Sequence, residues 1–483
     1  MSKTKTPETP EMPKPPNVEI AVKNFGPIAE ATIDLRPLTV FVGPSNTGKT
    51  YFSTLIYVLD GVFTGHSKFP GHFKRLGIHG FKDLVDRNWN KIRPILKKLN
   101  ISNQSIKFSD LPPEIRASLE SDLKNPESIV NELKRCFDLN SITELIRLKN
   151  GQRSEMNISL EVKRENQRLW NFKIAGCESN LAARGSVNED LMIYDKDSLI
   201  SHSHKELDID DLFFWAAIEL DRHREKRFYL PAARSGIMQS HRVITSSLVE
   251  RATRGGLTPL EIPTFSGVVA DFMQQLILYE ESEVPDNRMK PLAEAIESDV
   301  LAGQILMKPT PSGYPEFLYR PSAMGEEVRL TRAASMVSEL APVVLFLRGG
   351  IRPGDTLIIE EPEAHLHPGA QTEIALTLAG LVRAGVRVIV TTHSDWLLKE
   401  IANLIRIGDL KRKGVPQVKK MESIHWLLPE EVGTWWFQED GIVKQIPFDP
   451  TEGIEPKDYE DVADKLYDRS VNLQDLLEKV NKE

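Results

Sequence analysis

The stretch FVGPSNTGKT, residues 41–50, has the spacing G-x-x-x-x-G-K-T of a phosphate-binding loop. Such a loop must bring several backbone N–H groups close to phosphate oxygens, so glycine is required where a Cβ atom would collide. Lys49 can reach the β- and γ-phosphates of a nucleoside triphosphate, and the Thr50 hydroxyl can ligate Mg²⁺. The pattern therefore predicts a site for ATP and Mg²⁺ built from Gly43, Pro44, Ser45, Asn46, Thr47, Gly48, Lys49 and Thr50.

The residues on either side of this loop have the character of a strand and a helix. Leu38 to Val42 are nearly all apolar, as expected of a strand that is buried on both faces. Residues 50–59 favour a helix, whose N-terminus would add partial positive charge next to bound phosphate. We therefore expect the strand–loop–helix order that a triphosphate site requires.

A second apolar run, TLIIEEPEAHLHP at residues 356–368, leads directly into two carboxylates. An enzyme with a phosphate loop needs such a strand end beside its metal ion, with one acid for Mg²⁺ and the next to orient the attacking water. We assign Glu360 to the metal and Glu361 to the water. Glu360 stands where aspartate is usual, and it reaches one methylene further.

The same segment permits a second interpretation, a metal-ligand cluster made of Glu361, Glu363, His365 and His367. Two histidines at i and i+2 on a strand point to one face and could share a metal ion. The two prolines of the segment, however, interrupt the continuous strand that this alternation requires. The upstream phosphate loop makes the first interpretation the preferred one.

A third apolar run, VRVIVTTHS at residues 386–394, ends in a histidine. His393 could contact the γ-phosphate and respond to its presence. Alternatively, Thr392 or Ser394 caps the helix that follows, and the histidine has no part in the chemistry. The residues alone leave both interpretations open.

Length and composition limit the class of protein. A chain of 483 residues is too long for one ordinary core, so two or three domains are expected. The net charge of −8 argues against coating nucleic acid with the whole surface, although a local basic patch is compatible with it. Only Cys136 and Cys177 occur, which excludes a zinc spacing and is typical of a reducing cytosol. No apolar run approaches the roughly 18 residues that span a bilayer, so we expect a cytoplasmic protein.

Changes in composition divide the chain into five segments. Residues 1–16 contain five prolines and no apolar run, which predicts a disordered tail. Residues 17–60 and 211–430 carry the motifs and are expected to form the two halves of one core. Between them, residues 61–210 are predicted to be a helical or mixed insertion, and residues 431–483 form a C-terminal segment.

The motifs together resemble a known family. The phosphate loop, LIIEEPEAHLHP and TTHS occur in the order found in ABC-type ATPases of the OLD/RecF/SMC group, and they are most similar to OLD-like ATPases of bacterial anti-phage defence systems. Further matches are NFGPI, YLPAARSG and AASMVSELAP. The distance of 311 positions from Lys49 to Glu360 also suits this group, because small GTPases and nucleotide kinases have far fewer residues between these motifs. The resemblance implies an α/β fold, with an ABC-type P-loop NTPase core split by a long, mostly helical insertion.

The resemblance also implies roles for individual residues. Glu361 would be the catalytic base that positions water, and His393 would be the switch histidine at the γ-phosphate. Ser335, within AASMVSELAP, would open a signature helix and contact the nucleotide of an opposite subunit. The chain departs from the family here, because Met336 stands where a glycine usually follows the signature serine.

The family mechanism implies a second subunit. Two subunits close head-to-tail around two ATP molecules, and hydrolysis to ADP and phosphate reopens them. Residues 363–367 would meet the partner subunit, and the turn at residues 234–236 is the best candidate for the glutamine loop. We therefore expect a homodimer or a higher oligomer.

The output of ATP hydrolysis depends on other features. OLD nucleases carry a C-terminal Toprim domain with an Asp-x-Asp motif, and none occurs after Trp396, so we expect a separate effector protein such as a nuclease. The leading hypothesis is a sensor or switch subunit of a defence system. One alternative is a RecF-like DNA repair or recombination ATPase, with candidate DNA-binding surfaces at residues 61–100 and 411–420. The other is a scaffold that ATP merely stabilises.

Overall fold

The computed structural model describes the greater part of the chain. The expected tail at residues 1–16, and the basic stretch from residue 64 onward, lie outside the described residues. The described residues are 17–63, 106–110, 113, 116–117, 127–149, 152–164, 167–177, 180–190, 192–194, 226–240, 265–280, 286–309, 315–419 and 425–480.

Strands occur in both the N- and C-terminal parts of the described residues. They are β1 (Asn17–Phe25), β2 (Ile28–Leu35), β3 (Leu38–Val42), β4 (Ile106–Lys107), β5 (Leu148–Lys149), β6 (Gln152–Arg153), β7 (Met156–Arg164), β8 (Gln167–Cys177), β9 (Asn180–Val187), β10 (Met192–Tyr194), β11 (Arg227–Leu230), β12 (Gly303–Pro309), β13 (Pro315–Pro321), β14 (Val328–Arg329), β15 (Thr356–Glu360), β16 (Arg387–Thr391), β17 (Val432–Phe437) and β18 (Val443–Ile446).

Helices also occur along the described residues. They are α1 (Lys49–Phe63), α2 (Glu127–Phe137), α3 (Gly267–Ile277), α4 (Lys290–Ala295), α5 (Ser335–Gly349), α6 (Pro368–Arg383), α7 (Asp395–Arg412), α8 (Pro416–Lys419) and α9 (Lys457–Val480). Residues 234–240 are also helical, and a π-helical turn, Ile296–Val300, continues α4.

The central sheet has six strands in the order β11-β15-β16-β3-β17-β18. The first five are parallel, and only β18 runs antiparallel to its neighbour. Alternate residues of β3 face opposite sides, so Leu38, Val40 and Val42 join one core cluster and Phe41 joins the other. Helices α5, α6 and α7 cover the first side, whereas α1 and a second sheet cover the other. Burial on both faces explains why these strands are almost entirely apolar.

The second sheet is antiparallel, in the order β2-β1-β7-β8-β9, and it contains the hairpin that alternation in the sequence predicts. Strand β7 pairs directly with β1, which places Val162 opposite Val18 and Leu160 opposite Ile20. The insertion was expected to be mostly helical, but the described part of residues 61–210 contains more strand than helix. The physical reason is that β1 needs a partner along its second edge, and the alternating apolar residues of β7 match its buried face.

The C-terminal segment contributes to the central sheet. Strand β17 lies parallel to β3, next to the strand that leads into the phosphate loop. Beyond it, α9 extends over 24 residues, and its described side chains, at positions 464–474, 476 and 477, are all exposed. Cys136 is buried, Cys177 is exposed, and both thiols are free. Among the described helices, none is both long and apolar enough to cross a membrane.

Helix α7 packs closely against the following segment at Gly408. A Cβ atom at Gly408 would lie 1.8 Å from the carbonyl oxygen of Leu427, which is backbone and cannot move aside cheaply. We therefore expect Gly408→Ala to lower the free energy of unfolding by about 1–3 kcal/mol, as overpacking does. Denaturant unfolding measures this change.

Gly369→Ala is the matched control, because the nearest atom to its Cβ would be 3.7 Å away, an ordinary contact. Alanine favours a helix over glycine, so this variant should be neutral or slightly more stable. Equal stability losses in the two variants would contradict the close packing at Gly408.

Candidate functional site

The loops that carry the sequence motifs meet at one edge of the central sheet. Strands β11, β15, β16 and β3 are parallel neighbours, so their carboxyl ends all point to that edge. In register, Glu360 pairs with Thr391, and Thr391 pairs with Phe41. The phosphate loop, the acidic strand end and the His393 loop are therefore adjacent, although they are far apart along the chain.

The phosphate loop owes its shape to backbone conformations that side chains rarely adopt. The φ angles are 134° at Gly43, 65° at Asn46 and 106° at Gly48. A Cβ at Gly43 would lie 2.3 Å from the carbonyl oxygen of Phe437, and one at Gly48 would lie 2.6 Å from Ile28 Cγ1. Both positions thus require glycine, for conformation and for space.

The loop also has unused hydrogen-bond donors. Within the described residues, no hydrogen bond uses the backbone N–H groups of residues 45–48 as donors. Ser45, Asn46 and Thr50 are exposed, whereas Thr47 is buried and donates from its hydroxyl to the carbonyl of Pro44 at 2.8 Å. A glycine-containing loop with free N–H groups is suited to an anionic phosphate chain.

Lys49 is a buried cation at the end of this loop. Its Nζ donates to the carbonyl oxygens of Gly43 at 2.8 Å and of Pro44 at 2.7 Å. Burial lowers the pKa of Lys49 to about 8, and the nearby carboxylates, first of all Glu361, oppose that shift. No carboxylate of the described chain forms an ion pair with Lys49, so phosphate oxygens can take over its donors.

Glu360 ends β15 as a buried carboxylate that is 6% exposed. Its Oε1 accepts from the Tyr229 hydroxyl at 2.9 Å, and its Oε2 accepts from the N–H of Ala232 at 3.0 Å. Burial, followed by the charge of Glu360, raises the pKa of Tyr229, so the phenol keeps its proton and donates it. Each oxygen of Glu360 retains a further lone pair, and together with the exposed Thr50 hydroxyl they form the oxygen donor set that Mg²⁺ prefers.

Glu361 has a left-handed backbone, with φ 44°. Its N–H donates to the carbonyl of Thr391 at 2.9 Å, which ties the residue to β16. Its carboxylate is 43% exposed, and Oε1 lies 3.9 Å from Nε2 of His393. The two side chains assigned from the sequence to water and γ-phosphate are therefore neighbours at the sheet edge.

Glu363 has a position that the sequence did not predict. Its Oε1 accepts from the Thr392 hydroxyl at 2.8 Å and from the N–H of His393 at 2.7 Å. Burial raises the pKa of Glu363, and the hydrogen bond from His393 opposes that rise. Glu363 therefore holds the loop that presents His393, and its place in the acidic string was the only signal in the sequence.

The side chain of His393 is partly exposed, at 36%, and the next residue, Ser394, caps a helix. Ser394 is the N-cap of α7 and accepts from the N–H of Leu397 at 3.0 Å, so the capping interpretation is confirmed for this residue. Burial, and then the charge of Lys49, lowers the pKa of His393, which keeps the imidazole neutral near pH 7. The two interpretations of the segment are compatible.

The metal-cluster interpretation of the acidic string is wrong. Strand β15 ends at Glu360 and a turn follows, so the alternation that such a cluster needs is absent. Glu363 turns inward, whereas His365 and His367 are exposed, and His367 accepts from the N–H of Gly369 as the cap of α6. No group of three or more metal-ligating side chains occurs among the described residues.

Helix α5 begins at Ser335, as expected of the AASMVSELAP segment. Ser335 is exposed, and Ala334 before it offers no side-chain cap, so the first N–H groups of the helix lack one. Met336 is half-buried and packs against the core cluster of the central sheet. The side chain at the position where the family has glycine thus points inward and leaves Ser335 accessible.

The candidate glutamine loop differs from expectation. Residues 234–236 are not a free turn but begin a helical segment, 234–240. Arg234 is fully buried beneath the acidic strand end, and its guanidinium donates to the carbonyl oxygens of Glu360 and Glu361. Gln239 donates to the Ser338 hydroxyl of α5 at 3.3 Å. The segment therefore connects β15 with α5.

One comparison with known proteins assigns the chain to a family. The family model described as "AAA ATPase domain" matches residues 18–226 and 273–398, more than half of the chain. The chain belongs to this family. Membership of an ATPase domain family implies nucleotide binding and suggests ATP hydrolysis. A search of curated proteins returned no match.

Solved structures with some likeness include heads of SMC proteins. "SmcHead bound to the C-winged helix domain of ScpA" has a TM-score of 0.41 and 11% identity, covering 89% of this chain and 98% of that chain. The Smc head domain with an extended coiled coil, bound to the C-terminal domain of ScpA from Pyrococcus furiosus, has a TM-score of 0.39 and 10% identity. The match covers 94% of this chain and 100% of that chain. The SMC head domain from Thermotoga maritima has a TM-score of 0.36 and 9% identity, and the match covers 90% of this chain and 100% of that chain.

The hydrogen bond from Tyr229 to Glu360 gives a prediction about Mg²⁺. Tyr229→Phe removes the O–H donor but keeps the ring, so the carboxylate is less firmly oriented. Because such outer partners typically change metal affinity by about tenfold or more, the Mg²⁺ concentration that half-maximally tightens binding of a fluorescent ATP analogue should rise by about that factor.

Tyr57→Phe is the control for this measurement. Its ring packs against Tyr229 at 5.5 Å, but its hydroxyl donates to Asp271, away from the acidic strand end. Its Mg²⁺ dependence should match that of the unmodified protein. Identical Mg²⁺ dependence in both variants would mean that Glu360 does not serve the metal.

Proposed function

We propose that the chain binds and hydrolyses ATP with Mg²⁺, dimerises around the nucleotide, and acts as a cytoplasmic switch for a separate effector. The observation that carries the ATPase assignment is the meeting of four features at one sheet edge. These are the glycine loop with its free N–H groups, buried Lys49, the two strand-end acids and His393. Membership of the AAA ATPase domain family supports the same chemistry.

Lys49 and the loop would hold the triphosphate. The Nζ now donates to two loop carbonyl groups, and phosphate oxygens of opposite charge are stronger acceptors. Bound Mg²⁺ would neutralise charge on the β- and γ-phosphates. Thr50 and Glu360 are the residues we assign to it, and Tyr229 keeps the Glu360 carboxylate in place.

Glu361 would accept a proton from the attacking water while orienting it. Its carboxylate is open to solvent, whereas its backbone is fixed by the hydrogen bond to Thr391. Neutral His393, 3.9 Å away, can donate one hydrogen bond toward the γ-phosphate without adding charge to the site. Glu363 keeps that histidine's backbone in position.

Dimerisation around ATP would complete the site. The exposed, uncapped N-terminus of α5 at Ser335 is suited to a γ-phosphate that a second subunit presents. His365 and His367, also exposed, lie in the loop assigned to the partner subunit. These features support head-to-tail pairing of two copies.

Two substitutions separate binding from hydrolysis. Lys49→Ala should abolish ATP binding and turnover, because the loop loses its only cation. Glu361→Gln should still bind ATP but lose at least about 100-fold in turnover, since it lacks the base, and should accumulate as an ATP-bound dimer. Turnover assays and size-exclusion chromatography measure both effects.

Lys290→Ala is the matched control for the lysine, because Lys290 is exposed and pairs with Glu294 rather than with a residue of the loop. It should behave as the unmodified protein. Undiminished hydrolysis by Lys49→Ala would remove the ATPase assignment, and normal turnover by Glu361→Gln would mean that another group is the base.

The role as a sensor in anti-phage defence rests on the resemblance to OLD-like ATPases. A trapped state should retain its effector, so we expect Glu361→Gln, purified with ATP and Mg²⁺ from its native host, to bring down a defined protein partner such as a nuclease. Mass spectrometry identifies it, and Lys49→Ala should not retain it. Recovery of DNA without a protein partner would favour the RecF-like alternative.

The nucleic-acid alternative has little support from the described residues. In the basic stretch at 411–420, Arg412 pairs with Asp409 at 2.7 Å and with Glu430 at 2.9 Å, and Lys413 pairs with Asp409 at 2.8 Å. Part of this positive charge is therefore already compensated. The stretch at 61–100 stays a prediction, because it lies outside the described residues from position 64 onward.

A further inference from the structure

Arg234 is a fully buried cation at the back of the candidate site, with 0% of its surface exposed. Its guanidinium donates to the carbonyl oxygens of Glu339 at 3.1 Å, of Pro231 at 3.3 Å, of Glu361 at 3.0 Å, and of Glu360. The planar guanidinium carries five N–H donors in a fixed geometry. It therefore holds three separate segments in one arrangement: the loop after β11, the end of β15 and helix α5.

The charge of Arg234 is balanced by a second buried group. Its Nη2 lies 3.2 Å from Oε1 of Glu339, and these side chains are 0% and 1% exposed. Burial raises the pKa of Glu339, and Arg234 opposes that rise. Because an apolar pair of similar size often stabilises a core as well as a buried ion pair does, packing alone does not explain this one.

Glu339 is well placed to transmit a movement of α5. It follows Ser335 by four residues, so both lie on the same side of the helix, one turn apart. The bond from Gln239 to Ser338 ties the same turn of α5 to residues 234–240. A shift of the N-terminus of α5 would therefore displace the groups that contact Arg234.

At the other end, Arg234 supports a backbone conformation that glutamate disfavours. Glu361 has φ 44°, and such a residue persists only when its surroundings hold it. Four hydrogen bonds do so: from its N–H to the carbonyl and the hydroxyl of Thr391, from Ala364 N–H to its carbonyl at 3.0 Å, and from Arg234 to the same carbonyl. This conformation sets the direction in which the Glu361 carboxylate leaves the sheet.

We propose that Arg234, paired with Glu339, is a positioning residue that couples the N-terminus of α5 to the orientation of Glu361. Contact between Ser335 and the nucleotide of a second subunit would then align the base for water attack. The role in hydrolysis rests on the function proposed above. The mechanical link rests only on the buried contacts.

The test replaces both charges together, as Arg234→Met with Glu339→Leu, because either change alone leaves an uncompensated buried charge and could prevent folding. We expect turnover to fall by about 10- to 100-fold, since small misplacements of reacting groups have effects of that size. ATP affinity should stay within about twofold, because neither residue is among those assigned to the nucleotide. Hydrogen–deuterium exchange in the 361–364 turn should become faster.

The matched control is Arg348→Met with Glu297→Leu, a second ion pair, which joins Arg348 of α5 to Glu297 of the π-helical turn; Glu297 is 6% exposed. Arg348 lies near the opposite end of the same helix and donates to the carbonyl of Ile305 at 2.6 Å. This variant should keep turnover, affinity and exchange of the 361–364 turn within about twofold of the unmodified protein. This control therefore distinguishes a general effect of removing an ion pair that involves α5 from an effect specific to the Arg234–Glu339 pair.

Combining the substitutions distinguishes a positioning role of Arg234 from a merely structural one. If Arg234 acts through Glu361, adding Glu361→Gln to the Arg234–Glu339 variant should cause no further loss beyond that of Glu361→Gln alone. Multiplied losses would overturn the proposal, as would turnover and exchange both within twofold of the unmodified protein.

Failure of the proposed function is distinguishable from failure of this inference. If the unmodified protein does not hydrolyse ATP, or if Lys49→Ala hydrolyses it normally, the ATPase assignment fails. Hydrogen–deuterium exchange in the 361–364 turn then still tests whether Arg234 positions Glu361. Faster exchange confined to the Arg234–Glu339 variant supports the link, and unchanged exchange overturns it.

Discussion

The parallel pairing of β11, β15, β16 and β3 is the constraint on which the candidate site depends. Parallel strands all end at the same edge, so every loop that follows one of them is presented there. Each of β3, β15 and β16 is five residues long and buried throughout, which leaves no room for a register shift. The alignment of Glu360, Thr391 and Phe41 across the sheet follows from this pairing.

The site edge is costly in physical terms. Glu361 and Asn46 have left-handed backbones, and the edge gathers buried or half-buried charges from Lys49, Arg234 and three glutamates. Apolar residues would be cheaper to bury, and ordinary turns would carry no strain. Burial lowers the pKa of Lys49 and raises that of Glu363, so these groups are held away from their preferred environments. An anionic ligand would compensate the cation at this edge.

The walls of the phosphate loop come from segments outside the motif. Gly43 lies against Phe437 at the end of β17, and Gly48 lies against Ile28 at the start of β2. The C-terminal segment therefore shapes the loop as directly as the residues beside it. In the same way, β7, from the segment predicted as an insertion, completes the sheet that β1 and β2 begin.

The sequence by itself determined the pattern of the phosphate loop and the three buried strands, and it offered Ser394 as one of two possible caps of α7, whereas the start of α5 was expected from the family resemblance. These features depend on residues a few positions apart, where backbone conformation and periodicity act directly. Only the tertiary structure decided the partners Tyr229, Arg234, Glu339 and Glu363, and the pairing of β7 with β1. Tyr229 and Glu360 are 131 residues apart, so no local spacing records their contact. Hydrogen bonds of this kind depend on how the sheets and helices pack, and packing is a property of the whole fold.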